Sequence, residues 1–232
     1  MATIYRFYGW TNEDDKMRYL ICGDIHGNLP ALELMLLKEK NSYDILICHG
    51  DVVNYGPWSN ECVDLLDTIN DAVLLKGNHE EYFLNGFYHG VNEVANAFFK
   101  FCYPKFSNFE LINNYDQSHE INDFKIQHTI LGKYIFKDTN IDYLDHNYII
   151  GHSHQQFDKF IGDKRLINTG SIGQNRAYIN CINYLICDEI KSSILLKTEV
   201  YDHSVIINQM ETNLYPQACI NYYKKKDCYY EI

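Results

Sequence analysis

Short clusters of polar residues follow five apolar segments of strand length, and this repetition constrains the fold more than any other feature of the sequence. The apolar segments span residues 19–22, 45–49, 72–76, 125–128 and 148–150. The clusters that follow or close them are Asp24-x-His26, Gly50-Asp51, Gly77-Asn78-His79, His128 and Gly151-His152-Ser153-His154. Because open α/β sheets bind ligands at the carboxyl ends of their strands, we expect the five clusters to converge on one pocket.

Helical patterns separate the early apolar segments. Residues 30–40 have the pattern of an amphipathic helix with Pro30 in its first turn, and residues 60–70 and 91–101 also show apolar positions at helical spacing. This alternation predicts parallel strands with helical crossovers. Further strands are predicted at 166–169, 183–186 and 193–200, with hairpin-like spacing in the second half of the chain.

Neither a repeat, nor a low-complexity tract, nor a long linker divides the sequence, so we expect one domain across residues 1–232. Residues 1–16 precede the first clear strand pattern and are predicted to be an N-terminal extension outside the core fold. The tail, residues 208–232, has no firm assignment beyond a late helix.

The acidic composition limits the classes of partner. The 31 acidic residues outnumber the 20 basic ones, which gives a formal net charge of −11. A general nucleic-acid-binding protein would carry a basic stripe, so we expect no stable binding of nucleic acid. The first 16 residues lack the apolar core of a secretory signal, and no run approaches the roughly 18 apolar residues of a membrane helix. The sequence therefore predicts a cytoplasmic protein without membrane association.

The residue types in the clusters suit a site for two divalent metal ions. Carboxylate, imidazole and amide ligands bind Mn, Fe, Co, Ni or Zn, with Mn favoured here. In an extended segment residues i and i+2 point to the same side, so Asp24 and His26 are expected to bind one ion together. His152 and His154 share that spacing and would each serve one of two ions roughly 3.5–4 Å apart. Asp51 lies between the two ligand groups in sequence and is the best candidate for a bridging carboxylate.

Taken in order, these clusters resemble the motifs of the calcineurin-like metallophosphoesterase superfamily. Its D-x-H, G-D, G-N-H-[DE], H and G-H-x-H pattern appears as GDIHGN, HGDVVNYGP, KGNHE, IQHT and IIGHSH. The strings DIHGNLPALE, DVVNYGPWSNECVDLL and INTGSIGQNR are similar to the small bacterial and archaeal phosphodiesterase branch. The resemblance implies a four-layer αββα sandwich in which helices flank two mixed sheets. It implies one metal bound by Asp24, His26, Asp51 and His154, and a second bound by Asp51, Asn78, His128 and His152.

In that family the histidine after the ligand asparagine is catalytic, and here it is His79. A hydroxide that bridges two metals is a good nucleophile at neutral pH, and the cations stabilise charge on the phosphoryl oxygens. The leaving oxygen must also be protonated, and an imidazole suits this step because the pKa of an imidazole lies near neutrality. By the resemblance Asn28 faces the substrate phosphate; the alternative is that it only caps the helix that begins near Pro30, and one residue could do both. Arg176 either binds a phosphate bidentately or forms a surface salt bridge.

The sequence departs from the family pattern at two places. Protein phosphatases with GDIHG and GNHE motifs have Asp-Arg-Gly where this chain has Asn-Tyr-Gly at residues 54–56. The missing arginine disfavours a protein phosphatase, and the missing aspartate leaves His79 to be oriented by Asn54 or by Glu80. The phosphodiesterase branch commonly has glycine after the ligand histidine, whereas threonine follows His128, so His119 is an alternative ligand.

The sequence therefore favours a hydrolase of small phosphodiesters or nucleotide phosphates, with a small phosphorylated substrate as its partner. The alternatives are a phosphomonoesterase, a protein phosphatase or a dinucleoside polyphosphatase of the same superfamily. A non-catalytic scaffold with the same fold would have no reason to retain a complete ligand set together with His79. Substrate specificity is expected to reside in segments 82–120 and 129–147, where His89 is a candidate for lining the cleft.

Overall fold

The computed structural model describes residues 4–6 and 16–230, and for residues 4–6 it describes the backbone alone. Within these residues the strands are β1 (Ile4–Arg6), β2 (Arg18–Cys22), β3 (Ile45–Cys48), β4 (Ala72–Leu74), β5 (Ser118–Ile121), β6 (Phe124–Gln127), β7 (Asn147–Ile150), β8 (Phe157–Ile161), β9 (Lys164–Asn168), β10 (Cys181–Asp188) and β11 (Ser193–Val200). The α-helices are α1 (Leu29–Lys38), α2 (Ser59–Asp67), α3 (Asn78–Asn85), α4 (Glu93–Cys102), α5 (Phe109–Asn113), α6 (Ser204–Thr212) and α7 (Gln217–Lys224). None of these helices is long and apolar enough to cross a membrane.

Two mixed sheets organise the described part of the chain. The first has the order β1-β11-β10-β2-β3-β4, and the second has the order β5-β6-β7-β9-β8. Strands β2, β3 and β4 are parallel neighbours in the first sheet, as are β6, β7 and β9 in the second. The five predicted polar clusters follow β2, β3, β4, β6 and β7, so they all lie at carboxyl ends of parallel strands.

The two sheets pack face to face through alternate residues of their strands. Ile21 and Ile47 of the first sheet belong to the same buried cluster as Ile126 and Ile149 of the second. The residues between them in sequence point the other way, because successive side chains of a strand alternate between faces. Leu20, Cys22, Leu46 and Cys48 therefore join the core formed with the helices.

The outer face of the second sheet is covered by an irregular segment. Ile135 and Leu144 pack against Tyr148, Ile150 and Leu166 of β7 and β9. The predicted fold class, with two mixed sheets flanked by helices, is confirmed. The structure adds that side chains of residues 130–144, rather than a helix, form the layer over these two strands.

Local signals explain where the predicted helices begin. The Asn28 side chain accepts a hydrogen bond from the Ala31 N–H at the start of α1, and Pro30 lies in the first turn. At α4, the Asn92 side chain accepts hydrogen bonds from two backbone N–H groups of the first turn. Capping of this kind satisfies donors that have no partner within the helix.

All eight predicted strands form, and the three predicted helices correspond to α1, α2 and α4. The assignment of residues 1–16 to an extension outside the fold is wrong for Ile4–Arg6, which pair antiparallel with β11 at the edge of the first sheet. A strand of three residues is too short for its periodicity to show. Residues 1–3 and 7–15 of that extension lie outside the described residues. The late helix in the tail is two helices, α6 and α7.

Candidate metal centre

Histidine and aspartate side chains from four strand ends meet in two groups that share one carboxylate. The ligand atoms of each group all lie within 4.8 Å of one another. The first group contains Asp24, His26, Asp51 and His154, and the second contains Asp51, His128 and His152. Asn78 adjoins the second group, since its side-chain oxygen lies 3.0 Å from His128 Nε2. His119, the alternative to His128, lies on β5 opposite Ile126 and belongs to neither group.

The backbone at this site differs from what the sequence predicts. Asp24 and His26 have φ angles of 49° and 50°, and His152 and His154 have 66° and 57°. The expectation that extended segments align these pairs is therefore wrong, because both members of each pair have left-handed rather than extended backbone. Asp51, at φ 54°, has the same conformation. Left-handed backbone is uncommon for residues with a side chain, and it clusters at functional sites where surrounding structure imposes it.

Hydrogen bonds between the strand-end loops hold this backbone. The N–H groups of Asp24 and His26 donate to the carbonyls of Gly50 and Asp51, at 2.9 Å each. Close approach also requires glycine here, since a Cβ on Gly77 would lie 2.1 Å from Asp51 Oδ1. The loops are thus fixed to one another before any ligand binds.

The first group presents nitrogen lone pairs to one another. His26 Nδ1 lies 3.3 Å from the Val53 carbonyl, and His154 Nδ1 lies 3.0 Å from the Gln174 carbonyl. A carbonyl only accepts, so both Nδ1 atoms donate, and in the neutral rings the lone pairs are on the Nε2 atoms. These Nε2 atoms lie 3.1 Å apart. A cation between them would satisfy both lone pairs, which is the arrangement seen when backbone carbonyls orient metal-binding histidines.

The second group surrounds His128 Nε2 with acceptors. Asp51 Oδ2 lies 3.2 Å from this nitrogen, Asn78 Oδ1 lies 3.0 Å away and His152 Nδ1 lies 3.1 Å away. Its other nitrogen, Nδ1, donates to the His49 carbonyl at 3.2 Å. One proton on Nε2 would serve only one of three neighbours, whereas a divalent cation would serve them all. The donor set of both groups therefore fits two metal ions.

Burial and mutual charge set the protonation of the ligands. Burial raises the pKa of Asp24 and Asp51, but neighbouring histidines outweigh it and hold both carboxyl pKa values below their usual range. Burial and adjacent histidines lower the pKa of His26 well below its usual value and that of His152 to about 3. Burial also lowers the pKa of His128, but the Asp51 carboxylate outweighs it and raises the pKa to about 9. The negative charge on Asp51 that favours this proton would equally favour a metal ion.

His79 lies beside the ligands without belonging to either group. It is in the first turn of α3, where its backbone N–H donates to Asp51 Oδ1 at 2.8 Å. Its Nδ1 lies 3.0 Å from the Asn54 side-chain amide, so Asn54 is the residue that orients the ring. Burial lowers the pKa of His79, while Asp51 opposes that shift.

Glu80, the other residue considered for orienting His79, has a different role. Its fully buried carboxylate accepts hydrogen bonds from the backbone N–H groups of Asp51 and Gly77, both at 2.7 Å. Two further N–H groups of the loop that follows Asp51 donate to the same carboxylate. Burial and the nearby Asp51 charge raise the pKa of Glu80 to about 7. Glu80 therefore joins the loop that carries Asp51 to the start of α3.

The two predicted substrate-binding residues have different environments. Asn28 is fully buried. Its side-chain oxygen accepts a hydrogen bond from the Ala31 N–H, and its side-chain nitrogen donates to the Tyr201 hydroxyl at 2.8 Å. The structure thus confirms that Asn28 caps the helix, and its contact with a substrate stays a prediction. Arg176 is exposed beside His154, and its Nε donates to the Ser153 carbonyl at 2.8 Å. Within residues 16–230 no carboxylate forms an ion pair with Arg176.

Three tyrosines at the site carry no sequence signal of function. Tyr55 packs its ring 4.8 Å from that of His26, and Tyr134 stacks on His152 with ring centroids 3.9 Å apart. Tyr82 packs edge to face on His79, with ring centroids 5.4 Å apart. Tyr82 is four residues after Asn78, so a prediction of helix α3 would have placed both on one helix face.

Comparisons with known proteins agree with this geometry. Residues 17–169 match the sequence profile of the calcineurin-like phosphoesterases. An uncharacterized protein of Methanocaldococcus jannaschii is 29% identical over 233 residues, which cover 87% of this chain and 95% of that protein.

Two solved structures share the fold. A metallophosphoesterase from Sphaerobacter thermophilus superposes with a TM-score of 0.71 at 21% identity, covering 91% of this chain and 100% of that one. A hypothetical protein from Pyrococcus horikoshii superposes with a TM-score of 0.75 at 14% identity, covering 89% and 97%. With its profile match over more than half of its residues and its ligand groups at the strand ends, this chain belongs to the calcineurin-like phosphoesterase family.

Proposed function

We propose that the protein is a dinuclear-metal-dependent phosphoesterase that hydrolyses small phosphodiesters or nucleotide phosphates. The residues that would hold the two ions are Asp24, His26, Asp51, Asn78, His128, His152 and His154. When bound, the ions would activate a water molecule and neutralise charge on the phosphoryl oxygens. Manganese is favoured, and Fe, Co, Ni or Zn suit the same donors.

The observation that carries this proposal is the set of facing lone pairs at the strand ends. His26 Nε2 and His154 Nε2 lie 3.1 Å apart while both Nδ1 atoms donate to backbone carbonyls. In their neutral forms, two imidazoles in this orientation have no proton between them to share. The Asp51 carboxylate also lies 3.2 Å from His128 of the second group. This one carboxylate would therefore bridge the two cation positions.

We infer that His79 donates a proton to the leaving group. The Asn54 amide contacts its Nδ1, and its Nε2 lies 4.0 Å from Asp51 Oδ2, facing the ligand groups. A side chain held in this way can reach a leaving oxygen bound between the two groups, and an imidazole transfers protons efficiently near neutral pH. His79 contacts the ligand cluster without being needed as a ligand.

The surroundings of the site favour diesters over phosphoproteins. Tyr55 stands where protein phosphatases carry an arginine, and it packs against His26, His79 and Phe98. The cation that would clamp a doubly charged monoester is therefore replaced by an uncharged ring. Arg176, beside His154, is proposed to bind a single non-bridging phosphate oxygen. One cation of this kind suits the single charge of a diester.

The test is turnover of a matched pair of substrates by protein reconstituted with Mn²⁺. We expect a higher kcat/KM for bis(p-nitrophenyl) phosphate than for p-nitrophenyl phosphate, and no turnover of either by an Asp51→Asn variant prepared in parallel. The variant excludes a contaminating phosphatase. A preference for the monoester would favour the phosphomonoesterase alternative, and absence of metal-dependent turnover would favour the scaffold.

A further inference from the structure

Aromatic rings border the metal-ligand groups on the side that faces solvent. Tyr134, from the irregular segment after β6, stacks on His152 with centroids 3.9 Å apart and an interplanar angle of 27°. The residue nevertheless remains 57% exposed. The ring thus adds a flat, partly exposed apolar surface beside the candidate metal ligand His152.

A second aromatic group comes from α3 and the loop that follows it. Tyr82 contacts the His79 ring at 5.4 Å, and Tyr88 contacts Tyr82 at 5.0 Å, both edge to face. Exposed His89 adds a ring 6.0 Å from Tyr82. Both aromatic groups border the ligand cluster, Tyr134 through His152 and Tyr82 through His79.

Exposure distinguishes Tyr134 from the core aromatics, whereas Tyr82 and Tyr88 are partly buried against the core. Phe83 of α3 and Phe98 of α4 are completely buried in that core. Tyr134 is more than half exposed although it contacts a candidate metal ligand, and Phe87, in the loop after α3, is 60% exposed. Exposed aromatic surface grouped beside a polar site is typical of ligand recognition rather than folding.

We propose that Tyr134 and Tyr82 bind the base of a nucleotide or nucleoside phosphodiester whose phosphate lies at the metal-ligand groups. This inference rests on the proposed phosphoesterase function and narrows its substrate class. Aromatic side chains stack on any base, because every base has a π-face. Since Tyr134 lies against His152, a base on its outer face stays within reach of a phosphate beside that ligand through one sugar.

The charge of the protein favours a small ligand of this kind. A net charge of −11 opposes a nucleic-acid strand with many phosphates, whereas two bound cations would locally attract one phosphate group. Arg176 lies near Tyr134. Its guanidinium is 5.1 Å from the Phe136 ring, and the centroid of that ring is 6.4 Å from the centroid of Tyr134. A nucleotide would thus meet one cationic side chain and two aromatic groups.

The experiment measures binding rather than turnover, with two ligands that differ only by the base. AMP and ribose 5-phosphate are titrated calorimetrically into Mn²⁺-loaded protein. We expect AMP to bind about 5- to 150-fold more tightly, the range that stacking of one base provides. Tyr134→Leu should remove most of this difference, and Tyr134→Phe should retain it. Tyr143→Leu, which alters an exposed tyrosine of the same segment, is the control and should leave both affinities unchanged.

Equal affinity of the wild-type protein for the two ligands would overturn the inference, as would a Tyr134→Leu variant that keeps the full difference. Tyr82→Phe removes the hydroxyl and keeps the ring, so it should preserve the preference for AMP. A base-dependent difference without hydrolysis of any ester would support base binding while refuting the phosphoesterase proposal. Failure of both ligands to bind the metal-loaded protein would overturn the inference, while turnover of bis(p-nitrophenyl) phosphate tests the phosphoesterase proposal separately.

Discussion

Divalent metal should raise the melting temperature of chelator-treated protein by about 10–20 °C, and the whole effect should require Asp51. The structure provides two ligand groups, and each is complete enough to hold one ion. An ion present at 100 times its Kd stabilises the folded state by about 2.7 kcal/mol. Two such ions contribute about 5 kcal/mol, and in chains of 150–250 residues each kcal/mol moves the melting temperature by about 2–4 °C.

Variants should divide this effect according to the ligand groups. His154→Gln removes a ligand from the first group alone, and His128→Gln removes one from the second alone. Each should retain about half of the metal-induced rise and one equivalent of metal by mass spectrometry. Asp51→Asn should lose nearly all of the rise, because both groups share that carboxylate. His146→Gln alters an exposed histidine remote from these groups and serves as the matched control.

The comparison uses the rise caused by metal rather than the melting temperature itself, since each substitution also changes the metal-free protein. An Asp51→Asn variant that retains two equivalents of metal and the full rise would refute the bridging role. Loss of both equivalents in His154→Gln would show that the two positions fill cooperatively, contrary to the independent sum above. An unchanged melting temperature in the wild-type protein would refute metal binding.

Three further outcomes follow from the same contacts. His79→Ala should lower kcat by about 10²–10⁴-fold while both metals stay bound, since it removes an acid and not a ligand. Asn54→Gly keeps the left-handed backbone at φ 74° but removes the amide that orients His79, so kcat should fall while KM changes little. In a His79→Ala background the same Asn54 change should have almost no effect on kcat. Asn28→Ala should lower the free energy of unfolding by about 0.5–2 kcal/mol, the value of a helix cap, without changing KM.

A different result would contradict each of these predictions. Metal loss in His79→Ala, measured by mass spectrometry, would make His79 a ligand. An equal loss of kcat from the Asn54 change with and without His79 would show that Asn54 acts on something else. A large rise in KM for Asn28→Ala, with little change in the unfolding midpoint in urea, would indicate that Asn28 contacts the substrate directly.

Sequence reasoning located the strands and the convergence of the clusters because both depend on local patterns. Apolar runs such as residues 45–49 have few alternatives to a buried strand, and parallel strands carry their carboxyl ends to one edge. The helix α3 was missed because Gly77, which precedes it, and Asn78, its first residue, also suit a turn. The buried position of Asn28 depends on Tyr201, which is 173 residues away in the chain.

The sequence patterns did not predict the left-handed backbone of five candidate metal ligands, which are Asp24, His26, Asp51, His152 and His154. Such conformations cost about 1–3 kcal/mol each and persist only where the surrounding structure imposes them. Here the restraints include hydrogen bonds between strand-end loops, such as His26 N–H to the Asp51 carbonyl at 2.9 Å, and the Glu80 carboxylate behind Asp51. None of these restraints requires a metal ion. The ligand geometry is therefore a property of the folded chain, and metal should bind to a preformed site rather than create it.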